Sequence, residues 1–175
     1  YKNLIGSDVS EKAVSDTKLN IEWLKNRFSR SERDPDSPSG QISNSQFSIN
    51  FQVSNVENLS NILLTKSVDA IATEPYLGKP LRGRETKDEL LSQTKELKDL
   101  YLQAFRQFYK ILKPKGEVVF IIPRFKYTNE WITIECKNEI EKIGFKALPF
   151  FEGQIRLVYA RPNQRVAREI WRFVK

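Results

Sequence analysis

Apolar positions recur along the chain with two different periods. Ala13, Thr17, Ile21, Leu24 and Phe28 fall three or four residues apart, which is the spacing of one helix face. Ser10 stands where an N-cap belongs, with Glu11 in the first turn. Leu90, Leu97, Tyr101, Ala104, Phe108, Ile111 and Leu112 mark the buried face of a longer helix, stopped by Lys113-Pro114-Lys115-Gly116. Elsewhere the pattern alternates or runs solid. Leu4 and Ile5 make a short strand that turns at Gly6-Ser7-Asp8. Residues 47–53 alternate apolar and polar, residues 68–73 read as a more buried strand, and 117–122 are apolar enough to be covered on both faces. Thr128 or Asn129 can cap a helix that ends near Gly144. Residues 145–150 and 155–160 read as two strands joined by a short turn. From Asn163 the tail reads as a helix, with Val166, Ile170 and Phe173 on one side.

Strands alternating with helices predict an α/β fold of the Rossmann type, with a mostly parallel sheet covered on both faces and an antiparallel edge strand. The 175 residues suit one domain, 1–175. Residues 29–46 hold six serines, two prolines and a single large apolar residue, Ile42, and read as a flexible insertion. In open α/β sheets ligands bind beyond the C-terminal strand ends. Attention therefore falls on Asp8, Asn55 and Glu74, each just after a strand.

Composition then removes several chemistries. There is no histidine and one cysteine, Cys136, so His-based triads, His-ligated zinc and cysteine-rich metal sites are excluded and no metal site is expected. No window reaches the roughly 18 apolar residues of a membrane helix. Residues 1–8 carry no signal-peptide core, and a cytoplasmic location is the expectation. With no methionine in the chain, Tyr1 does not read as a translation start, so an upstream part of the gene product is expected. The net charge of +7 favours an anionic partner.

Asp8 can accept hydrogen bonds from a ribose diol, or it can cap the helix that follows. Asn55 can read the edge of an adenine, or close an Asx turn. Glu74-Pro75-Tyr76 puts an acceptor, a rigid kink and a flat ring in one place. A planar amine-bearing base can stack on Tyr76 while its amino group donates to Glu74; the alternative is a strand-to-loop turn with a packed tyrosine. Lys79, Arg82, Arg84 and Lys87 crowd the next loop against Glu85. Arg165, Arg168 and Arg172 share a face of the predicted tail helix. Both clusters suit nucleic-acid phosphates, or simply form solvated faces. Trp23, Trp131 and Trp171 read as packing residues, and Cys136 as a buried small hydrophobe.

Asp8 with Val9-Ser10-Glu11-Lys12-Ala13, the segment 71–78, and Leu112-Lys113-Pro114-Lys115-Gly116 before a strand together resemble class I S-adenosylmethionine-dependent methyltransferases. Within them the chain most resembles the RNA methylase family that includes tRNA guanine-N2 methyltransferases, over nearly its whole length. That resemblance implies S-adenosylmethionine as cofactor. It places Asp8 at the donor's ribose hydroxyls and Asn55 near its adenine, and counts Val9, Val56 and Thr73 among the donor-binding residues. It makes Glu74, Pro75 and Tyr76 the counterpart of the family's Asp-Pro-Pro-Tyr-type motif, which grips the amine to be methylated. Alignment on the strand puts Glu74 on the family's acid; alignment on Pro-Tyr puts Thr73 there. The family's glycine-rich loop and its first, central strand would precede Tyr1. An upstream segment is thus expected to complete the sheet and the donor site, and the chain alone is expected to be inactive. The implied partner is RNA, tRNA first. DNA adenine-N6 methylation and a non-catalytic RNA-binding scaffold are the alternatives.

Overall fold

The computed structural model describes residues 3–31 and 48–175. The predicted insertion falls mostly outside them, and the helix before it runs on to Ser31. Two compact units follow one another along the chain, Tyr1–Asn55 and Val56–Lys175.

In the first unit β1 (Asn3–Asp8) and β2 (Ser48–Val53) form a parallel pair, with Asp8 opposite Val53. Between them in sequence lies α1 (Glu11–Ser31). Ser10 is its cap as predicted: the Ala13 backbone N–H donates to Ser10 Oγ at 3.2 Å. Val14 is buried, but Trp23 is 57% exposed with the Arg27 guanidinium over its ring, so it is not the packing residue expected.

The second unit opens with a short 3-10 turn (Val56–Asn58) and α2 (Leu59–Ile62), neither of them predicted. Then come β3 (Val68–Thr73), α3 (Lys87–Ile111), β4 (Leu112–Tyr127), β5 (Glu130–Ile132), α4 (Lys137–Ile143), β6 (Lys146–Leu148), β7 (Arg156–Tyr159) and β8 (Val166–Val174). The long helix matches its prediction because every local signal agrees. Leu90, Leu97, Tyr101, Ala104, Phe108 and Ile111 are all buried, and Thr86 and Glu89 form a capping box. Residues 128–136 are not helical. Thr128 and Asn129 turn the β4–β5 hairpin instead, and α4 starts only at Lys137.

The tail is the main correction. Residues 166–174 form β8, not a helix. The marker positions Val166 and Ile170 lie four apart, which is one helical turn and also two strand repeats. The alternation that decides is Ala167, Glu169, Trp171 and Phe173, all buried. β8 lies inside the sheet, and the antiparallel edge expected near residues 145–160 is formed by β6 and β7. β8 runs antiparallel between β4 on one side and β6 and β7 on the other. Leu148 pairs with Arg172 and Arg156 with Trp171, so β6 and β7 continue one another along the same edge of β8 rather than folding back as a hairpin. Among the described residues only β1–β2 and β3–β4 are parallel pairings, so the mostly parallel sheet expected is replaced by mixed pairing, because the tail forms an antiparallel strand in place of a covering helix.

The core of this unit is aromatic. Phe105 of α3 meets Phe120 of β4, Phe173 of β8 and Phe145 with ring centroids 5.0, 5.1 and 5.2 Å apart. The Cys136 thiol is buried, which pushes its pKa up to about 12 and keeps it protonated, in line with the small hydrophobe expected. Gly144 ends α4 in the left-handed region, φ 117°, and a Cβ there would stand 2.6 Å from the Tyr109 ring. Gly144→Ala is expected to cost about 1–3 kcal/mol, read as a lower urea midpoint at unchanged slope.

β3 is less buried than predicted, with Ala70 and Ala72 exposed. Among the described residues it pairs with β4 alone, and β1 pairs with β2 alone, so each keeps one open edge.

Candidate functional site

Strand direction places the site residues. Glu74-Pro75-Tyr76 leave the C-terminal end of β3, beside its parallel neighbour β4, where Thr73 is opposite Phe120. Glu74 does not stand alone: Arg168 Nε donates to its Oε1 at 2.7 Å. The two side chains are 46% and 32% exposed, so the bond weighs more for orientation than for stability. It leaves Oε2 as the acceptor for another donor. The sequence pattern puts Arg168 at a nucleic-acid face; in the structure it holds the carboxylate.

The backbone after Glu74 is tied down step by step. The buried Tyr101 hydroxyl donates to the Tyr76 carbonyl at 2.8 Å, and burial raises the Tyr101 pKa. Lys79 N–H donates to Gln93 Oε1 at 2.9 Å. Glu85 accepts the N–H groups of Arg82 and Gly83, at 2.5 and 2.8 Å, and these bonds lower its pKa. The Tyr76 ring, in contrast, is 59% exposed. It is not the packed tyrosine of the alternative reading.

In the first unit the ends of β1 and β2 bring Asp8 and Asn55 to the same side of the parallel pair, where Ser54 N–H donates to the Asp8 carbonyl at 2.9 Å. Asp8 Oδ1 accepts the Ser10 N–H at 2.7 Å, while Oδ2 accepts no hydrogen bond among the described residues. Val9 follows Asp8 and is 68% exposed. Val56 and Thr73 belong to the second unit.

The seven cations predicted to meet nucleic acid separate. Lys87 pairs with Glu130 at 2.7 Å, and Arg172 holds Glu117 through two nitrogens at 2.7 and 3.1 Å. Lys79 and Arg82 line a groove shared with Glu85, Glu89 and Glu96. Arg84 and Arg165 line a different cleft, together with Lys126, which the sequence does not single out. Arg165 precedes β8, and Arg168 and Arg172 project to one face of it, so the helix face predicted for the three does not form. A cluster around the buried Glu169 also escapes the sequence pattern: its carboxylate pairs with Arg156 and Arg124, at 3.3 and 3.9 Å, and accepts from the Trp171 indole N–H. Among the described residues no group of three or more Cys, Asp or Glu can hold a metal ion, and no helix is long and apolar enough to cross a membrane.

Solved structures share the fold. A SAM-dependent methyltransferase from Methanosarcina mazei superposes with a TM-score of 0.56 at 11% identity, over 99% of this chain and 82% of that one. The fold is that of S-adenosylmethionine-dependent methyltransferases. An rRNA methylase from Streptococcus thermophilus shares this methyltransferase fold with a TM-score of 0.50 at 17% identity, over 99% of this chain and 76% of its own. A protein from Thermus thermophilus assigned as a DNA modification methylase has a TM-score of 0.47 at 12% identity, over 70% of this chain. The match takes in about half of that protein's length, 50%. No family model and no curated protein matches the chain.

Proposed function

We propose that this chain is part of a methyltransferase catalytic domain that methylates an exocyclic amine of a nucleic-acid base, guanine N2 in tRNA first. The observation that carries the reading is Glu74. A carboxylate at the end of a sheet strand, oriented by Arg168 and followed by a clamped turn with an exposed ring, suits the capture of a flat base bearing an amine.

S-adenosylmethionine, when bound, supplies a methyl group on a sulfonium that departs as a thioether. The residues here fit it: Asp8 offers the acceptor a ribose diol needs, and Asn55 stands at the neighbouring strand end. Val9, next to Asp8 and exposed, would add a donor contact within the first unit. Glu74 Oε2 accepts a hydrogen bond from the amine N–H, aims the nitrogen lone pair and stabilises the positive charge that nitrogen gains. Tyr76 stacks on the base, and Pro75 holds the two at a fixed spacing. The proton lost from nitrogen passes to solvent, to which Glu74 is open. An RNA substrate agrees with the basic cleft and with an rRNA methylase among the fold neighbours. Among the described residues β1 and β3 each keep an open edge that can accept a further strand. Such an enzyme would work in the cytoplasm.

Incubation of the full-length gene product with labelled S-adenosylmethionine and total tRNA, followed by digestion to nucleosides, tests this. Label in N2-methylguanosine is the expected result. Label only in DNA adenine would replace the substrate, and donor-free RNA binding would replace catalysis with a scaffold role.

A further inference from the structure

The cleft lined by Arg84, Lys126 and Arg165 encloses about 630 Å³ and lies wholly within the second unit. Three separate ties fix its walls. Arg165 closes the first: its guanidinium carbon lies 2.9 Å from where a Gly83 Cβ would stand, so it rests on the bare glycine of the 82–85 turn. That glycine has φ 85°, a conformation other residues adopt with strain. The second is the Lys126 N–H, which donates to the Arg165 carbonyl at 2.8 Å and joins the end of β4 to the turn before β8. The third is the Lys87–Glu130 ion pair, which joins the start of α3 to the β4–β5 hairpin.

The charge is one-sided. Among the described residues Glu85 is the only acid lining the cleft, and both its oxygens are taken by the Arg82 and Gly83 N–H groups. No ion pair within 4.0 Å engages Arg84, Lys126 or Arg165 among the described residues, although Arg165 lies close enough to act electrostatically on Glu85, whereas Lys87, Arg168 and Arg172 are each paired. Tyr127, Thr128 and Gln164 add polar groups to the lining. A walled cleft with three cations free of such pairs and with neutral donors suits a phosphate diester better than a small neutral ligand.

The cleft lies toward the same end of β4 as Glu74's partner: Arg168 is opposite Pro123 on β4, and Lys126 is three residues further along, roughly 10 Å at 3.3 Å per residue and on the other face of the strand, so a polynucleotide would pass around the sheet end to reach both. We propose that the cleft anchors a backbone phosphodiester of the polynucleotide whose base is presented to Glu74, so that the substrate is held as a strand and not as a free nucleoside. This rests on the nucleic-acid reading above.

The test is anisotropy titration of the full-length protein with a short fluorescein-labelled oligouridylate and its thymidylate counterpart, neither of which offers an exocyclic amine. Replacing Arg84, Lys126 and Arg165 together by Gln should weaken binding to both strands about tenfold or more. It should also lower the salt slope by about 0.7, the contribution of one single-strand phosphate contact. Gly83→Ala should weaken binding at unchanged net charge, because it displaces the Arg165 guanidinium. A matched control replaces Lys95, Lys142 and Lys146, all exposed and outside the cleft, by Gln. Equal losses in the control and cleft variants overturn the anchor, as does a loss confined to one type of strand. Wild-type protein that binds these strands but methylates no nucleic acid keeps the anchor and removes the methyltransferase reading. A cleft variant that methylates RNA with unchanged KM removes the anchor and keeps that reading.

Discussion

Glu74→Ala is expected to lower kcat for methyl transfer by about 10²–10³-fold, the usual loss when one aimed group at a charge-developing centre is removed. Donor affinity should hold, because Asp8 and Asn55, at the ends of β1 and β2, are untouched. Stability should hold as well. The carboxylate is nearly half exposed and its one partner among the described residues is Arg168, a pair worth about 0–1 kcal/mol. Glu74→Gln separates two parts of the role. Its amide oxygen still accepts from the amine but carries no charge, so it should retain more activity than alanine and less than the parent. Arg168→Ala should lower kcat by less than Glu74→Ala, since it frees the carboxylate to rotate without removing it. Steady-state transfer with the best substrate, beside urea unfolding of each variant, is the measurement. A Glu74→Ala enzyme within about twofold of the parent in kcat would remove Glu74 from the chemistry.

Phe105→Ala is expected to destabilise the second unit by about 3–5 kcal/mol. Phe105 has no exposed surface and makes ring contacts with Phe108, Phe120, Phe145 and Phe173. It therefore touches α3, β4, β8 and the residue that precedes β6, and the void left by alanine cannot be filled from one side alone. For a domain stabilised by about 5–15 kcal/mol, such a loss takes a large part of the total. Phe105→Leu, which keeps most of the volume, should cost less. Urea midpoints read both, and a loss below about 1 kcal/mol for alanine would mean the aromatic cluster is not the centre of the core.

What can be read from the sequence follows from how local each signal is. The helix of Leu90 to Ile111 is legible because apolar spacing, cap and stop agree within one stretch of chain. The place of Glu74-Pro75-Tyr76 just past a strand end is legible for the same reason, as three neighbours in one stretch. Arg168 as the partner of Glu74 is not. The two are 94 positions apart and meet only because β8 lies against β4, and β4 against β3. The tail misleads because a spacing of four fits either period, and the error carries Arg165, Arg168 and Arg172 onto a helix face that does not exist. Lys126 escapes notice because the residues after it look like a helix cap, whereas they turn a hairpin.

The interior position of β8 has a consequence for synthesis on the ribosome. Among the described residues β6 and β7 pair with no strand but β8, and β8 is translated after both. While the chain emerges, those two segments wait with bare backbone edges, and the pocket for Phe173 stays open beside Phe105. β3, α3 and β4 can associate early, but the sheet closes only when the last of its strands threads between partners already made. A nascent chain arrested before Val166 would leave that unfinished surface bare, as a substrate for holding chaperones.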